Sequence, residues 1–256
     1  MPIESSGNIL YEVRDGVAYI VIDRPEKRNA MTLEMWKAFK EYTTRACSDG
    51  DVRVVVYRGR GGAFSAGDDI GDMYRLGGVE DSIGFFSVLK KAFTAVAGCP
   101  KVTVAVVDGV AVGGGGELLL AMDYVIATRD SLTGFPEIRI GLIPPLLSTL
   151  GVYVLGFRLA KKLALRGGFL DASEALEYGL FDEVVEPGEL ESRLEELVAE
   201  FKSLPVYAVS SIKRLAMESV RPALESGISE LELLVLSREA RERMRAFLEK
   251  RLPRPS

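Results

Sequence analysis

The segment AVVDGVAVGGGGELLLAMDY, Ala105–Tyr124, places four consecutive glycines between an apolar strand pattern and an apolar helix pattern. Glycine loses more backbone entropy on folding than any other residue, so such a run inside regular structure needs a physical reason. The run ends at Glu117, which opens the otherwise apolar helix pattern ELLLAM. We therefore expect something to approach this backbone closely.

The order of strand, glycine turn and helix also occurs upstream. The stretch VRVVVYRG, residues 52–59, has the pattern of a buried strand, and it leads into GRGGAFSAGDDI, where Asp69 can cap a following helix. Alternating strands and helices favour an α/β fold with a mainly parallel sheet, whose ligands bind at the carboxyl ends of the strands. The sequence predicts an α/β core over residues 1–200 and a helical C-terminal subdomain over residues 201–256, which serves in assembly or as a lid.

Composition excludes several classes of function. The 256 residues carry a net charge of −5, so no global basic field favours nucleic acid or an anionic membrane surface. The N-terminus has no signal-peptide pattern and no apolar run approaches the length of a membrane span, which predicts a cytoplasmic protein. Cys47 and Cys99 are too few for a disulfide framework, and we interpret both as small buried apolar residues.

The chain contains no histidine, so any acid–base chemistry falls to carboxylates, tyrosine, lysine or cysteine. Two carboxylates stand in apolar surroundings, Glu117 and, 20 residues later, Glu137 in FPEIRIGL. They could be a helix-start charge and a buried ion-pair partner. Alternatively they form an acid–base pair that holds a water, with burial tuning one as base and the other as acid.

The two glycine-rich turns have two interpretations as well. They could simply make turns, or their backbone N–H groups could converge on a developing negative charge as an oxyanion hole. Neither turn matches the spacing of a P-loop or of a dinucleotide-binding glycine motif, so phosphate binding of those kinds is not predicted.

Six motifs occur in register along the chain. In order they are RPEKRNAM, FSAGDDI, VDGVAVGGGGELLLAMDY, FPEIRIGLIP, EALEYGLFDEVV and AFLEKRLP. Together they resemble the enoyl-CoA hydratase/isomerase (crotonase) family from about Ile9 to Pro253. The resemblance implies a crotonase-like (ClpP/crotonase) spiral of ββα units with a C-terminal helical subdomain.

The resemblance implies a role for four site residues. The backbone N–H groups of Ala66 and Gly114 would bind the thioester oxygen, Glu117 would activate water, and Glu137 would exchange the proton at the α carbon. An enolate develops beside the carbonyl in such chemistry, and paired N–H groups stabilise it more than they stabilise the ground state. No metal or redox cofactor is implied, because coenzyme A belongs to the substrate.

The resemblance also implies where coenzyme A binds. In the family its adenosine part lies near the loop RPEKRNA and the turn SAGDD, and a C-terminal lysine can reach the coenzyme A of a neighbouring subunit. Lys27 and Arg28 are candidate phosphate partners, although a solvated basic loop is the alternative. The implied assembly is a homotrimer or a dimer of trimers. The implied coenzyme A contacts are Lys27, Arg28, Ala30, Ala66, Gly67, Asp68, Asp69, Gly114 and Lys250.

Two departures from the family pattern bear on specificity. Pro145, Leu146 and Leu147 stand where small glycine-rich sequence is usual, so we expect the acyl pocket to differ in shape. Asp68 replaces a small residue, which we interpret as tolerable because the family uses its backbone.

The predicted function is addition of water across the 2,3 double bond of an enoyl-CoA, because both carboxylate positions are filled. One alternative is a double-bond isomerase, or a hydratase of a branched or substituted acyl-CoA. Another is a non-catalytic RNA-binding or scaffold protein on the same fold. The mixed charges of the first long helix argue against RNA binding.

Overall fold

The computed structural model describes residues 3–251, which form two sheets and ten α-helices. The strands are β1 (Glu4–Ser6), β2 (Ile9–Arg14), β3 (Val17–Ile22), β4 (Val54–Gly59), β5 (Ala63–Ser65), β6 (Val102–Val107), β7 (Val110–Val112), β8 (Tyr124–Thr128), β9 (Leu132–Gly134), β10 (Phe169–Asp171) and β11 (Glu183–Val185). The helices are α1 (Leu33–Ser48), α2 (Ile70–Tyr74), α3 (Val79–Ala97), α4 (Gly114–Leu120), α5 (Gly151–Leu155), α6 (Phe157–Arg166), α7 (Ala172–Glu177), α8 (Leu190–Lys202), α9 (Val206–Leu234) and α10 (Arg238–Leu248). Short 3-10 segments lie at Pro25–Lys27, Glu137–Ile140 and Pro187–Glu189.

The larger sheet has seven strands in the order β1-β2-β3-β4-β6-β8-β11. The first three are antiparallel, and the turn at Asp15-Gly16 joins β2 and β3 as a hairpin. From β3 onward each neighbouring pair is parallel, which confirms the predicted parallel sheet. Parallel strands are covered on both faces, which is why β4 and β6 have continuous apolar sequences.

A second sheet of four short strands, in the order β10-β9-β7-β5, was not predicted from the sequence. Its members have three residues each, too few for a period-2 pattern to identify them. Within it β5, β7 and β9 are parallel neighbours, so their carboxyl ends lie at one edge. The two glycine-rich turns and the segment with Glu137 all leave from that edge.

Helix α1 forms as its sequence predicts. The Thr32 hydroxyl accepts a hydrogen bond from the Met35 N–H at 3.3 Å and caps the first turn. The buried face of α1 carries Trp36, whose ring contacts those of Phe39 and Phe93. This aromatic cluster joins α1 to α3. It also contacts the turn that follows β5, because the Trp36 indole N–H donates to the Asp68 carboxylate.

The C-terminal helices share the main core. Leu224, Ile228 and Leu231 of α9 belong to the same buried apolar cluster as the α1 side chains. The predicted division between residues 200 and 201 stays a prediction, and residues 252–256 lie outside the described residues. Among the helices of residues 3–251, none combines the length and the apolar character that a membrane crossing requires.

A disulfide joins Cys47 and Cys99, with their Cα atoms 5.3 Å apart. The interpretation of both cysteines as unpaired apolar residues was therefore wrong. Cys47 lies in the last turn of α1 and Cys99 just beyond the end of α3, and the packing of these two helices brings the ends together. No local pattern identifies this pair, because the two residues are 52 positions apart.

We expect the disulfide to stabilise the fold chiefly by restricting the unfolded chain. For a loop closed by residues 52 positions apart, the chain-entropy relation gives about 4 kcal/mol. Urea unfolding with and without a thiol reductant should show a loss of this size on reduction. A Cys47→Ala/Cys99→Ala double variant is the control, since its unfolding should not respond to reductant. An equal response of both proteins would contradict this prediction.

Candidate active site

The two glycine-rich turns meet backbone to backbone at the carboxyl edge of the small sheet. A Cβ at Gly115 would lie 2.3 Å from the carbonyl oxygen of Ser65, closer than any side chain allows. A Cβ at Gly67, which has a φ of +84°, would lie 2.6 Å from the backbone nitrogen of Gly114. The glycine run is therefore required because the turn after β5 packs directly on the first turn of α4.

Two backbone N–H groups in this contact have no acceptor on another described residue, although the Asp68 N–H also interacts with its own carboxylate. Gly114 is the first residue of α4, and its N–H, like that of Asp68, donates to no other residue within the part of the chain that the structure describes. The groups lie side by side, since a Cβ at Gly114 would be 3.6 Å from the Asp68 nitrogen. Two adjacent N–H groups of this kind can hold a developing negative charge.

Ala66 does not supply the second N–H donor, which corrects the expectation from the sequence. Its N–H donates to the Arg28 carbonyl at 2.9 Å, and the next N–H, of Gly67, donates to the Ser65 hydroxyl at 3.1 Å. Asp68 is the first residue of the turn whose N–H has no acceptor on another described residue. The identity of the free donor depends on this pairing with a distant loop, which the local sequence does not reveal.

The loop RPEKRNA holds this turn in place. The buried Asn29 side chain donates to the Ala63 carbonyl at 2.6 Å and accepts the Arg24 N–H at 2.8 Å. The Arg24 guanidinium donates to the Ala30 carbonyl at 2.9 Å and pairs with Asp69 at 2.8 Å. Sequence reasoning missed Arg24 and Asn29, although the loop that contains them was singled out.

The remaining residues predicted to contact coenzyme A fall into two groups. Asp69 caps α2 and pairs with Arg24, and this ion pair, against the opposing effect of burial, holds the pKa of Asp69 below its usual value. Lys27 and Arg28 are exposed beside the turn, and Lys250 is exposed beyond the end of α10. Their contact with coenzyme A stays a prediction.

Glu117 is fixed by two backbone donors that the sequence analysis did not identify. The carboxylate is 3% exposed, and its Oε1 accepts the N–H groups of Leu146 at 2.5 Å and of Leu147 at 3.0 Å. The Pro144-Pro145 turn presents these successive N–H groups. The side chains of Leu146 and Leu147 are fully buried in the core, and their effect on the shape of the acyl pocket stays a prediction.

Glu137 has the opposite environment. It opens the 3-10 segment after β9, and within residues 3–251 neither of its buried carboxyl oxygens has a hydrogen-bond partner. Its Oε1 would lie 3.3 Å from a Cβ on Gly113, which places the carboxyl against the residue that precedes the oxyanion donor Gly114. The structure thus brings Glu137 to the start of the helix that carries Glu117.

Burial and mutual repulsion keep a proton on this pair of glutamates. Burial raises the pKa of Glu137 from 4.5 to about 8, and the charge of Asp68 adds to the effect. Burial, followed by the charge of Glu137, also raises the pKa of Glu117, while the N–H groups of Leu146 and Leu147 oppose the rise. Among the described residues, the backbone N–H of Glu137 itself is the only group that favours the charged form of that carboxyl, whereas Glu117 accepts two N–H groups from another segment, so the shared negative charge belongs on Glu117 and the proton on Glu137.

The raised pKa of Glu137 predicts a pH-dependent cost to stability. The unfolded chain releases this proton near 4.5 and the folded chain holds it to about 8, so the wild-type fold loses stability as pH rises between these values. Glu137→Gln removes the loss, and its stability relative to wild type should increase by at most about 1.4 kcal/mol per pH unit across that range.

Urea unfolding of wild type and Glu137→Gln from acid to pH 8 measures this difference. The matched control is Glu177→Gln, whose side chain is exposed on α7. A stability difference for Glu137→Gln that does not change with pH would contradict the assignment of the proton.

Comparison with known proteins agrees with this geometry. The family profile described as enoyl-CoA hydratase/isomerase matches residues 12–254. A crotonyl-CoA hydratase of Syntrophomonas wolfei is 30% identical over 95% of this chain and 96% of its own length. A trans-2-decenoyl-[acyl-carrier-protein] isomerase of Streptococcus mutans is 28% identical over 96% of this chain and 97% of its own. The crystal structure of an enoyl-CoA hydratase from Bacillus halodurans superposes with a TM-score of 0.87 at 26% identity, covering 94% of this chain and all of that one.

The fold and the paired N–H groups therefore define an enzyme of the crotonase fold, as the sequence predicts. The chain belongs to the enoyl-CoA hydratase/isomerase family.

Proposed function

We propose that this protein is an enoyl-CoA hydratase, a hydro-lyase that adds water across the 2,3 double bond of an acyl-CoA thioester. The observation that carries the proposal is the unequal environment of the two buried glutamates. Glu117 accepts two backbone N–H groups for its carboxylate, whereas within residues 3–251 the Glu137 carboxyl accepts no hydrogen bond from any other residue. Hydration needs this combination of one base and one acid.

Each site residue then has a defined step. The thioester oxygen accepts the N–H groups of Asp68 and Gly114. The Glu117 carboxylate takes a proton from water as the water oxygen forms a bond to C3, and the double-bond electrons move to give an enolate. Glu137 then delivers its proton to C2, which yields the 3-hydroxyacyl-CoA. Proton exchange returns the pair to its starting state.

The oxyanion hole supplies the electrostatic part of catalysis. The two N–H groups are fixed by the contact between the turn after β5 and α4, so they need no reorganisation as charge develops. A preorganised donor of this kind is worth about 10²- to 10³-fold in rate. General acid–base catalysis by a placed carboxyl adds about 10²- to 10⁴-fold.

We also propose that coenzyme A enters only as part of the substrate and that no separate metal or redox cofactor takes part. The exposed Lys27 and Arg28 beside the site suit its phosphates. A homotrimer or dimer of trimers in the cytoplasm, with Lys250 reaching a neighbour's coenzyme A, completes the proposal. The acyl chain that the enzyme prefers is left open.

The surface charges of α1 give no support to an RNA-binding role. Lys37 pairs with Glu34 at 2.6 Å, and Arg45 pairs with Glu4 at 2.8 Å. A basic strip able to neutralise phosphates would need such charges to be free.

Hydration is tested by the loss of the conjugated enoyl-thioester absorbance after mixing the protein with crotonyl-CoA. We expect Glu117→Gln and Glu137→Gln each to lower kcat by about 10²- to 10⁴-fold, because each removes one proton-transfer group. The exposed Glu177→Gln is the control.

Isomerisation of a 3-enoyl-CoA by the same variants separates the alternative reaction. An isomerase would retain activity in Glu117→Gln and lose it in Glu137→Gln, with no crotonyl-CoA consumed by the wild type. That result would replace the hydratase proposal.

A further inference from the structure

The side chain of Asp68 is a third carboxyl at the oxyanion hole. Its Oδ1 accepts the indole N–H of Trp36 at 2.8 Å. Its Oδ2 would lie 3.1 Å from a Cβ on Gly114, so this oxygen lies against the residue whose N–H faces the thioester oxygen. Residue Asp68 is half-buried, and Trp36, which holds its Oδ1, is 1% exposed.

The surroundings of this carboxyl disfavour its charged form. Its charge raises the pKa of Glu117 on α4 and of Glu137 in the 3-10 segment, and along the loop it adjoins Asp69. The nearby guanidinium of Arg24 is engaged by Asp69, and α1 contributes only the neutral indole N–H of Trp36. No ion pair to Asp68 occurs within residues 3–251. Burial raises the pKa of Asp68 from 3.8 to about 6, with a small further rise from Asp69, against the opposing hydrogen bonds from the Trp36 indole and from the backbone N–H of Asp68 itself.

An ionised carboxylate here would repel the enolate that the two N–H groups bind, whereas a neutral carboxyl would attract it. Because the Trp36 indole occupies Oδ1 as an acceptor, a proton on the carboxyl belongs on Oδ2, on the side of the thioester. A carboxylic acid kept neutral by its surroundings can serve as an oxyanion donor.

We propose that the Asp68 carboxyl, protonated on Oδ2 and oriented by Trp36, is a third hydrogen-bond donor to the thioester oxyanion. Asp68 thus contributes both its backbone N–H and its side chain to the same oxygen, and Trp36 is a positioning residue. The inference rests on the proposed function in one respect, the binding of a thioester enolate at this site. It requires no turnover.

The test measures the binding of acetoacetyl-CoA, a 3-ketoacyl thioester whose enolate has its own absorbance, between pH 5 and pH 8. Dissociation constants for wild type, Asp68→Asn and Asp68→Ala are compared at each pH, so that the ligand's own titration cancels. In Asp68→Asn the Trp36 indole keeps the amide oxygen and directs the NH₂ group to the ligand at every pH.

We expect Asp68→Asn to bind the enolate about as tightly as wild type at pH 5 and at least about tenfold more tightly at pH 8, where wild-type Asp68 is ionised. Asp68→Ala should bind at least about tenfold more weakly than Asp68→Asn throughout, because it removes the donor. Equal binding by the Asn and Ala variants would show that only the charge of Asp68 matters, and would overturn the donor role. The donor role would also be overturned if the ratio of the dissociation constants of Asp68→Asn and wild type did not vary with pH, or if none of the three proteins bound the enolate.

Trp36→Phe tests the positioning role, since it keeps the ring in the core and removes the N–H. The indole N–H stabilises the charged form of Asp68, so its loss raises the pKa of Asp68. The midpoint pH of the change in enolate binding is found by comparing Trp36→Phe with Trp36→Phe/Asp68→Asn. We expect this midpoint to be higher than in the protein with Trp36. An unchanged midpoint in a folded variant would contradict this role.

The result of the enolate-binding test can be distinguished from the result of the hydration test. Enolate binding with the expected pH pattern, but without hydration of crotonyl-CoA, would reject the hydratase and retain the role of Asp68. Hydration that both glutamate variants abolish, together with relative dissociation constants that do not vary with pH, would retain the hydratase and reject the role of Asp68.

Discussion

The site depends on one backbone contact, between the turn that follows β5 and the first turn of α4. Ser65 and Gly67 approach Gly115 and Gly114 so closely that a methyl group at either Gly67 or Gly115 would separate the two segments. This contact sets the N–H groups of Asp68 and Gly114 side by side. Parallel pairing of β5 and β7 brings the segments to the same edge, and glycine permits the final approach.

A second constraint is electrostatic. Three carboxyls, Asp68, Glu117 and Glu137, share one site, and the neighbouring guanidinium of Arg24 is committed to Asp69. Groups so arranged cannot all ionise near neutral pH, so the site retains protons that an exposed cluster would release. Glu117 accepts two backbone donors and Glu137 accepts none from any other described residue, which gives the two glutamates different environments.

Support for these groups comes from residues with no chemical role in the reaction. Asn29 and Arg24 fix the turn after β5, Trp36 fixes one oxygen of Asp68, and the Pro144-Pro145 turn supplies the donors to Glu117. Most of these contacts are hydrogen bonds to or from the backbone, which explains why side-chain patterns in the sequence did not reveal them. The Cys47–Cys99 disulfide ties α1 to α3, the helices whose packing buries Trp36.

The sequence alone determined the larger sheet, the capped helix α1, the two glycine turns and the candidate glutamates, because each rests on local periodicity or on residue types with one strong preference. Only the tertiary structure decided which N–H groups are free. The Ala66 N–H donates to the carbonyl of Arg28, a residue 38 positions earlier that no local sequence pattern connects with it. The small sheet, the pairing of Asp68 with Trp36 and the disulfide likewise join short segments that are distant along the chain. Such contacts depend on how the whole chain packs, and no local stretch of sequence specifies them.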